Sequence, residues 1–274
     1  LAASNLTTRL ATAAVAGPLI LLLLFLGPAW AWGLFIGVAT VIGAVELFHM
    51  THPEDRVSRI ASIVLTMGVY ATIWFFGMNA KALLAVLLLV PLSGELLTLA
   101  RLGDMKTAAF RVTGATFGQI YLGAGMAALA LMKKDGGADG PAFVLLSLML
   151  SWLSDTGAYF AGRFLGKHKL YEAVSPKKTI EGALGGLAGG TLGAVLVVTF
   201  YLKSLPMVHA LALAVFAGGL GQLGDLGESL LKRSVGVKDS GGIVPGHGGI
   251  LDRVDALLVT GTFCYLYILF YRLP

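Results

Sequence analysis

Apolar residues in this chain arrive in blocks of about 20, one after another, with no polar interval long enough to build a soluble domain. A bilayer core is crossed by roughly 20 helical residues rising 1.5 Å each, so this spacing predicts a polytopic helix bundle. Hydropathy places about nine spans, near 9–27, 30–50, 59–76, 82–100, 107–132, 142–165, 179–202, 206–233 and 252–272. Charged residues make up only 13%, against roughly 25% in a soluble chain, too few to face water on every side. The expected fold is therefore all-α, a transmembrane helix bundle forming one integral unit over 1–274 with no separate soluble domain. Within it, 1–132 reads as scaffold and 142–274 carries the polar motifs. The 37 glycines fall inside apolar runs, where small residues let helix backbones approach closely. The single cysteine, Cys264, excludes an intramolecular disulfide and a cysteine metal cluster. The first apolar run lacks a small-residue cleavage site, so no cleavable signal peptide is expected.

Nine spans alternate their connections between two sides, and the cations are distributed unequally. One side collects Arg9, Arg56, Arg59, Arg101, Lys106, Arg111, Arg163, Lys167, Lys169, Lys177, Lys178, Lys232, Arg233, Lys238 and Arg253; the other holds Lys81, Lys133, Lys134, Lys203 and Arg272. The positive-inside rule puts the first group in the cytoplasm, with the amino terminus inside. Discounting the last two basic loops as ligand-binding leaves the same majority.

Acidic side chains within a span are costly and usually functional. Here Glu46, Glu95, Asp155, Glu181, Asp225, Glu228, Asp252 and Asp255 lie in or at the edge of spans, all in the cytoplasmic half or near the midplane of this topology. A transporter is expected to set such groups around a midplane site in repeated halves; one-sided clustering points to a pocket open to the cytoplasm. Asp225 and Glu228 are three apart and Lys232 follows four later, so the three share a helix face. Asp225 stands about 28 Å along the helix from Pro206, at headgroup depth, where Asp252 and Asp255 open the last helix. Oxygen ligands without a Cys or His cluster favour Mg²⁺, which takes one or two carboxylates plus substrate phosphates. The bland alternative is salt bridging, Asp225 or Glu228 with Lys232 and Asp252 or Asp255 with Arg253.

Between these acid pairs runs a loop, Lys232 to Gly249, rich in glycine and fixed cations. Its N–H groups can approach phosphate, and Gly248-Gly249 leads into a helix amino terminus whose dipole favours an anion. His247 reads equally as a general base, a phosphate donor or a turn residue. A second basic loop, Lys167 to Gly182, contains Ser175-Pro176, read as starting a turn, with Lys177, Lys178 and Thr179 at the next helix entrance. It can hold a polyphosphate, or serve as a lipid-headgroup anchor.

The stretch Ser229 to Asp255 resembles the signature of the phosphatidate cytidylyltransferase family. The resemblance is carried by Ser229, Lys232-Arg233, Lys238-Asp239, Gly241, Pro245, His247-Gly248-Gly249, Asp252-Arg253 and Asp255; Val244 stands where the family has a bulkier residue. Asp155-Thr156-Gly157-Ala158-Tyr159 and Ser175 to Gly182 look like its preceding motifs. What this implies is reaction of CTP with phosphatidic acid to give CDP-diacylglycerol and pyrophosphate in a multi-pass membrane enzyme that requires Mg²⁺, with room for a second cation, and that can form a homodimer. By matching motif, Asp225 and Asp252 hold the metal with Glu228 and Asp255 in support. Lys177, Lys178, Lys232, Arg233 and Lys238 go to phosphates, and Ser175, Thr179, Ser229, Asp239, His247, Gly248, Gly249 and Arg253 join the substrate site. Membrane lipid is the expected partner and nucleic acid is not. Phosphatidate is already an anion, so no general base is required. The rivals are a CTP-dependent kinase of polyprenol-type alcohols, which must activate a hydroxyl, and an ion-coupled transporter, which leaves the two basic loops unexplained. A CDP-alcohol phosphotransferase lacks its clustered aspartate spacing here.

Overall fold

The computed structural model describes residues 2–77, 79–243 and 248–271, with side chains at 12 and from 14 onward among these. Helices follow one another as α1 (Ala2–Leu26), α2 (Ala29–Thr51), α3 (Arg56–Phe76), α4 (Ala80–Ala100), α5 (Met105–Gly118) and α6 (Gly125–Asp135). After these come α7 (Gly140–Phe164), α8 (Ile180–Phe200), α9 (Met207–Ser234) and α10 (Leu251–Tyr271). One π-helical turn, Gln119–Ala124, joins α5 to α6 in a continuous rod. Among the described residues the nine expected spans are thus nine helical rods, and eight of them are long and apolar enough to cross a bilayer. The chain is a multi-pass membrane protein. Four helices start at a side-chain cap: Asp55, Asn79, Asp104 and Thr179 each accept a backbone N–H from the first turn of α3, α4, α5 and α8.

One departure from all-α structure is a small hairpin, β1 (Lys169–Tyr171) antiparallel to β2 (Ser175–Thr179). Ser175-Pro176, read from sequence as starting a turn, lies in β2; the turn is Glu172–Val174, one step earlier.

The molecule sorts into two compact units, Leu1–Leu131 with Asp239–Asp252, and Met132–Lys238 with Arg253–Pro274. In the first, the Trp32 indole N–H donates to the Leu129 carbonyl at 3.3 Å and the Tyr70 hydroxyl to Gly33 at 2.6 Å. Both satisfy a buried polar group inside an apolar interior. Gly118 lets Leu47 and Phe48 reach its backbone, where a Cβ would stand 2.7 Å from Phe48.

The polar end of this unit is knit by Asp55. Its carboxylate accepts from Val57 N, Ser58 N and the Ser58 hydroxyl at 3.1, 3.1 and 2.6 Å, and from Arg111 at 3.0 Å and Arg101 at 3.4 Å. Burial alone raises its pKa, but the Ser58 bonds and Arg101 outweigh that and pull it down to about 2. His52, buried in the same turn, is pushed down to about 4 by desolvation first and then by Arg111 and Arg59, with Asp55 opposing. Both folded values lie below the unfolded ones, so for both groups the unfolded chain binds the proton first as pH falls. Stability is expected to decline for His52 from pH 6.5 toward 4, and for Asp55 from 3.8 toward 2. Thermal unfolding in detergent from pH 7 to 4 should follow the histidine window, with a slope of up to about 1.4 kcal/mol per pH unit. His52→Gln should flatten it; an unchanged slope in that variant contradicts the assignment.

In the second unit, α7 and α8 meet backbone to backbone. A Cβ on Gly157 would lie 2.2 Å from the Gly185 carbonyl oxygen, and one on Gly189 would lie 2.1 Å from that of Leu153. No side chain fits between them. α9 crosses α10 with glycine backbone against side chains, Gly224 under the Val259 methyl and Gly221 under the Thr260 methyl. These two glycines bracket Gln222 and precede Asp225, and this crossing brings the polar end of α9 against the first turns of α10.

Candidate active site

The second unit gathers four acids and three cations drawn from α7, β2, α9 and α10. Asp225, half-buried on α9, receives the Lys178 ammonium at 2.7 Å. One turn on, Glu228 and Lys232 form a buried i,i+4 pair at 2.7 Å, the bland pairing weighed from the sequence. Asp255 of α10 lies within the electrostatic reach of Asp225, Glu228 and Asp155, and Asp155 of α7 also feels Lys178 and Arg253. Carboxylates this close repel one another unless cations sit among them. Four acids against three cations leave the cluster suited to a further positive group.

Lys178 reaches Asp225 because of the hairpin. Successive strand side chains point to opposite faces, so Lys178 turns inward while Lys177 is exposed. The hairpin is fixed at its base. Thr179 caps α8 through Gly182 N at 3.1 Å, and Glu181 accepts the backbone N–H groups of Lys167 and His168 at 3.1 and 3.2 Å and pairs with the His168 ring at 2.6 Å. Lys169 donates across the hairpin to the Pro176 carbonyl. Ser175 is half-buried in β2. Arg233 is turned back on its own chain, donating to the Val237 carbonyl at 2.8 Å to close the end of α9. Ser229 is half-buried, and Lys238, Asp239 and Arg253 are exposed.

The sequence reading missed Gln222. Its amide donates to the Ala183 carbonyl at 3.1 Å and contacts the Ser154 hydroxyl at 3.4 Å, tying α9 to α8 and α7 just before Asp225. An amide inside a span, three residues ahead of an acid, was the available signal.

The first unit holds the other end of the glycine-rich loop. Asp252 is buried at the start of α10, and its Oδ2 accepts from Gly249 N at 2.9 Å, Ser240 N at 3.0 Å and the Ser240 hydroxyl at 2.9 Å. Gly248 has φ +83°, open to glycine and strained for other residues. Glu46, which the sequence left without a role, enters here from α2 and accepts from Ser240 Oγ, Ile250 N and Leu251 N at 3.0, 3.1 and 2.9 Å. Glu95 is exposed on α4. The two acids expected as a pair on α10 thus have different surroundings, Asp252 in the first unit and Asp255 in the second. His247, with Val244, Pro245 and Gly246, lies outside the described residues.

Among the described residues no three carboxylate, histidine or cysteine groups converge on one point. What the second unit offers a cation is a partial shell of oxygen ligands, the one or two carboxylates that Mg²⁺ takes alongside water and substrate phosphate. Carboxylate oxygens are the donors that ion takes, and Asp225 and Asp255 lie within electrostatic reach of each other.

Comparison with known proteins covers nearly the whole length. A family model described as the cytidylyltransferase family matches residues 7–271. A phosphatidate cytidylyltransferase of Staphylococcus haemolyticus is 35% identical over 230 residues, 82% of this chain and 85% of that protein. Phosphatidate cytidylyltransferases of Staphylococcus aureus and Staphylococcus epidermidis are 34% and 35% identical over the same shares.

Proposed function

The chain belongs to the cytidylyltransferase family, and on that premise we propose that it transfers the cytidylyl group of CTP to phosphatidic acid. The observation that carries this reading is the 35% identity to a phosphatidate cytidylyltransferase over 82% of the chain. In the reaction, a phosphate oxygen of phosphatidate attacks the α-phosphorus of CTP and the bond to the β-phosphate breaks. The products are CDP-diacylglycerol and pyrophosphate.

The difficulty is charge. Both reactants are anions, and the nucleophile needs no base because phosphatidate is ionised near neutral pH. The chain answers with cations from short, fixed segments: Lys178 and Lys177 on β2, Lys232 at the end of α9, and Arg253 on α10. Lys178 is held by Asp225 at 2.7 Å, ready to exchange part of that contact for a phosphate oxygen. At the amino terminus of α10 the N–H groups of Gly249, Ile250 and Leu251 are already accepted by Asp252 and Glu46, and Lys238, exposed on the glycine-rich loop, is that loop's proposed phosphate contact. Mg²⁺ is the proposed metal, held by Asp225 with Asp255; when bound it neutralises phosphate charge and aligns the displacement. Asp252, whose Oδ2 accepts three bonds from the loop, is proposed to shape that loop. The basic side of the topology is read as cytoplasmic, which lets CTP arrive from the cytosol while the acyl chains stay in lipid.

The test is pyrophosphate release by purified protein in detergent, given CTP, Mg²⁺ and phosphatidic acid. Release that requires phosphatidate and yields a cytidine-bearing lipid is the expected result. CDP in place of pyrophosphate, appearing with a lipid alcohol, overturns it in favour of a kinase.

A further inference from the structure

Glu46 lies on α2, nearly 200 residues before the loop it binds, with a side chain buried among backbone donors. The first N–H groups of any helix have no partner within the helix. At the start of α10, the N–H groups of Ile250, just before the helix, and Leu251, its first residue, are accepted by the two oxygens of Glu46. The same carboxylate meets the Ser240 hydroxyl at 3.0 Å, and that hydroxyl also stands 2.9 Å from Asp252. A serine has one hydroxyl proton, so Ser240 is a pivot shared by two carboxylates, one local and one brought in from a distant helix.

The glycines of the loop record this arrangement. A Cβ at Gly241 would lie 2.5 Å from Glu46 Oε1, and one at Gly249 would lie 2.4 Å from Oε2. From the sequence these glycines read as room for a phosphate; at these two positions the space is taken by Glu46.

We infer that Glu46 is a positioning residue for the cytidylyl transfer proposed above, holding Ser240, Gly241 and Gly249 to Leu251 in one geometry without touching the substrate. This rests on that reaction. Displacing a loop that bears on phosphates by as little as 1 Å can cost about 100-fold in rate. Glu46→Ala should therefore lower kcat by about 100-fold, with KM for phosphatidate changed less than about threefold. Glu46→Gln keeps one acceptor oxygen and should recover about tenfold of that loss. Gly241→Ala should lower kcat about as far as Glu46→Ala, because its methyl displaces the same carboxylate. Added to Glu46→Ala, it should cost less than about twofold more, since the group it collides with is gone.

Each variant is first checked for a monodisperse peak in detergent, and Glu46→Gln carries the test if Glu46→Ala fails to fold. Amide exchange at Ile250 and Leu251 should rise at least about tenfold in Glu46→Ala, with α7 and α8 unchanged. Wild-type kcat in folded Glu46→Ala, or multiplicative losses in the double variant, overturns the inference. An inactive wild-type chain overturns the reaction instead, and exchange at Ile250 and Leu251 then decides whether Glu46 holds the loop.

Discussion

Asp225→Asn is expected to cut pyrophosphate release by about 1000-fold or more while leaving the protein as stable as before. The two halves of that expectation come from the same geometry. Asparagine keeps the volume of aspartate and removes the charge that the proposed chemistry uses. In the folded state that charge also sits within reach of Asp155 and Asp255, so removing it relieves repulsion. Its ion-pair partner, Lys178, is about 28% exposed, and a pair that open contributes little to folding. Loss of activity should therefore come with an unchanged or raised unfolding temperature. Rate measurements beside thermal unfolding of the same detergent preparation would check it. Retained Mg²⁺-dependent turnover would sink the assignment of Asp225, and a large fall in stability would mean its role is structural.

The second large effect is on folding. Gly189→Ala places a methyl 2.1 Å from the Leu153 carbonyl, and Gly157→Ala places one 2.2 Å from that of Gly185. Both neighbours are backbone, which cannot rotate away as a side chain does. Overpacking usually costs about 1–3 kcal/mol; here α7 and α8 must separate along their length, so the upper end or beyond is expected. The control is Gly68→Ala on α3, an exposed site with nothing within 4 Å. Alanine is the better helix former by roughly 1 kcal/mol, so that variant should be neutral or slightly more stable. Yield of monodisperse protein and unfolding temperature separate the cases. Equal behaviour of the three would refute the packing account.

The spans were legible because lipid imposes one requirement, a long apolar helix, and hydropathy measures it directly. Asp225, Glu228 and Lys232 were legible as a shared face because helical spacing is local. The hairpin was hidden. Ser-Pro-Lys-Lys-Thr has poor strand propensity, and its pairing depends on anchoring by Glu181 to the far side of the loop. Lys178 meeting Asp225 and Glu46 meeting Ile250 and Leu251 are long-range facts. No periodicity carries them, and an acid within a span announces only that it needs a partner, never which one.

The π-helical turn at Gln119–Ala124 has a consequence for how this span can change through descent. A residue inserted into or lost from a helix turns everything beyond it by about 100°. Elsewhere that swings a buried face into lipid. A wider turn bonded i to i+5 absorbs one surplus residue, so the halves on either side keep separate phases: Arg111, Gly114, Ala115 and Gly118 before it, Met126 to Leu131 after it. Relatives that differ in length within this rod should gain or lose their residue here, and a chain shortened by one at this turn would regain an ordinary helix while Met126 to Leu131 keep the packing they now make.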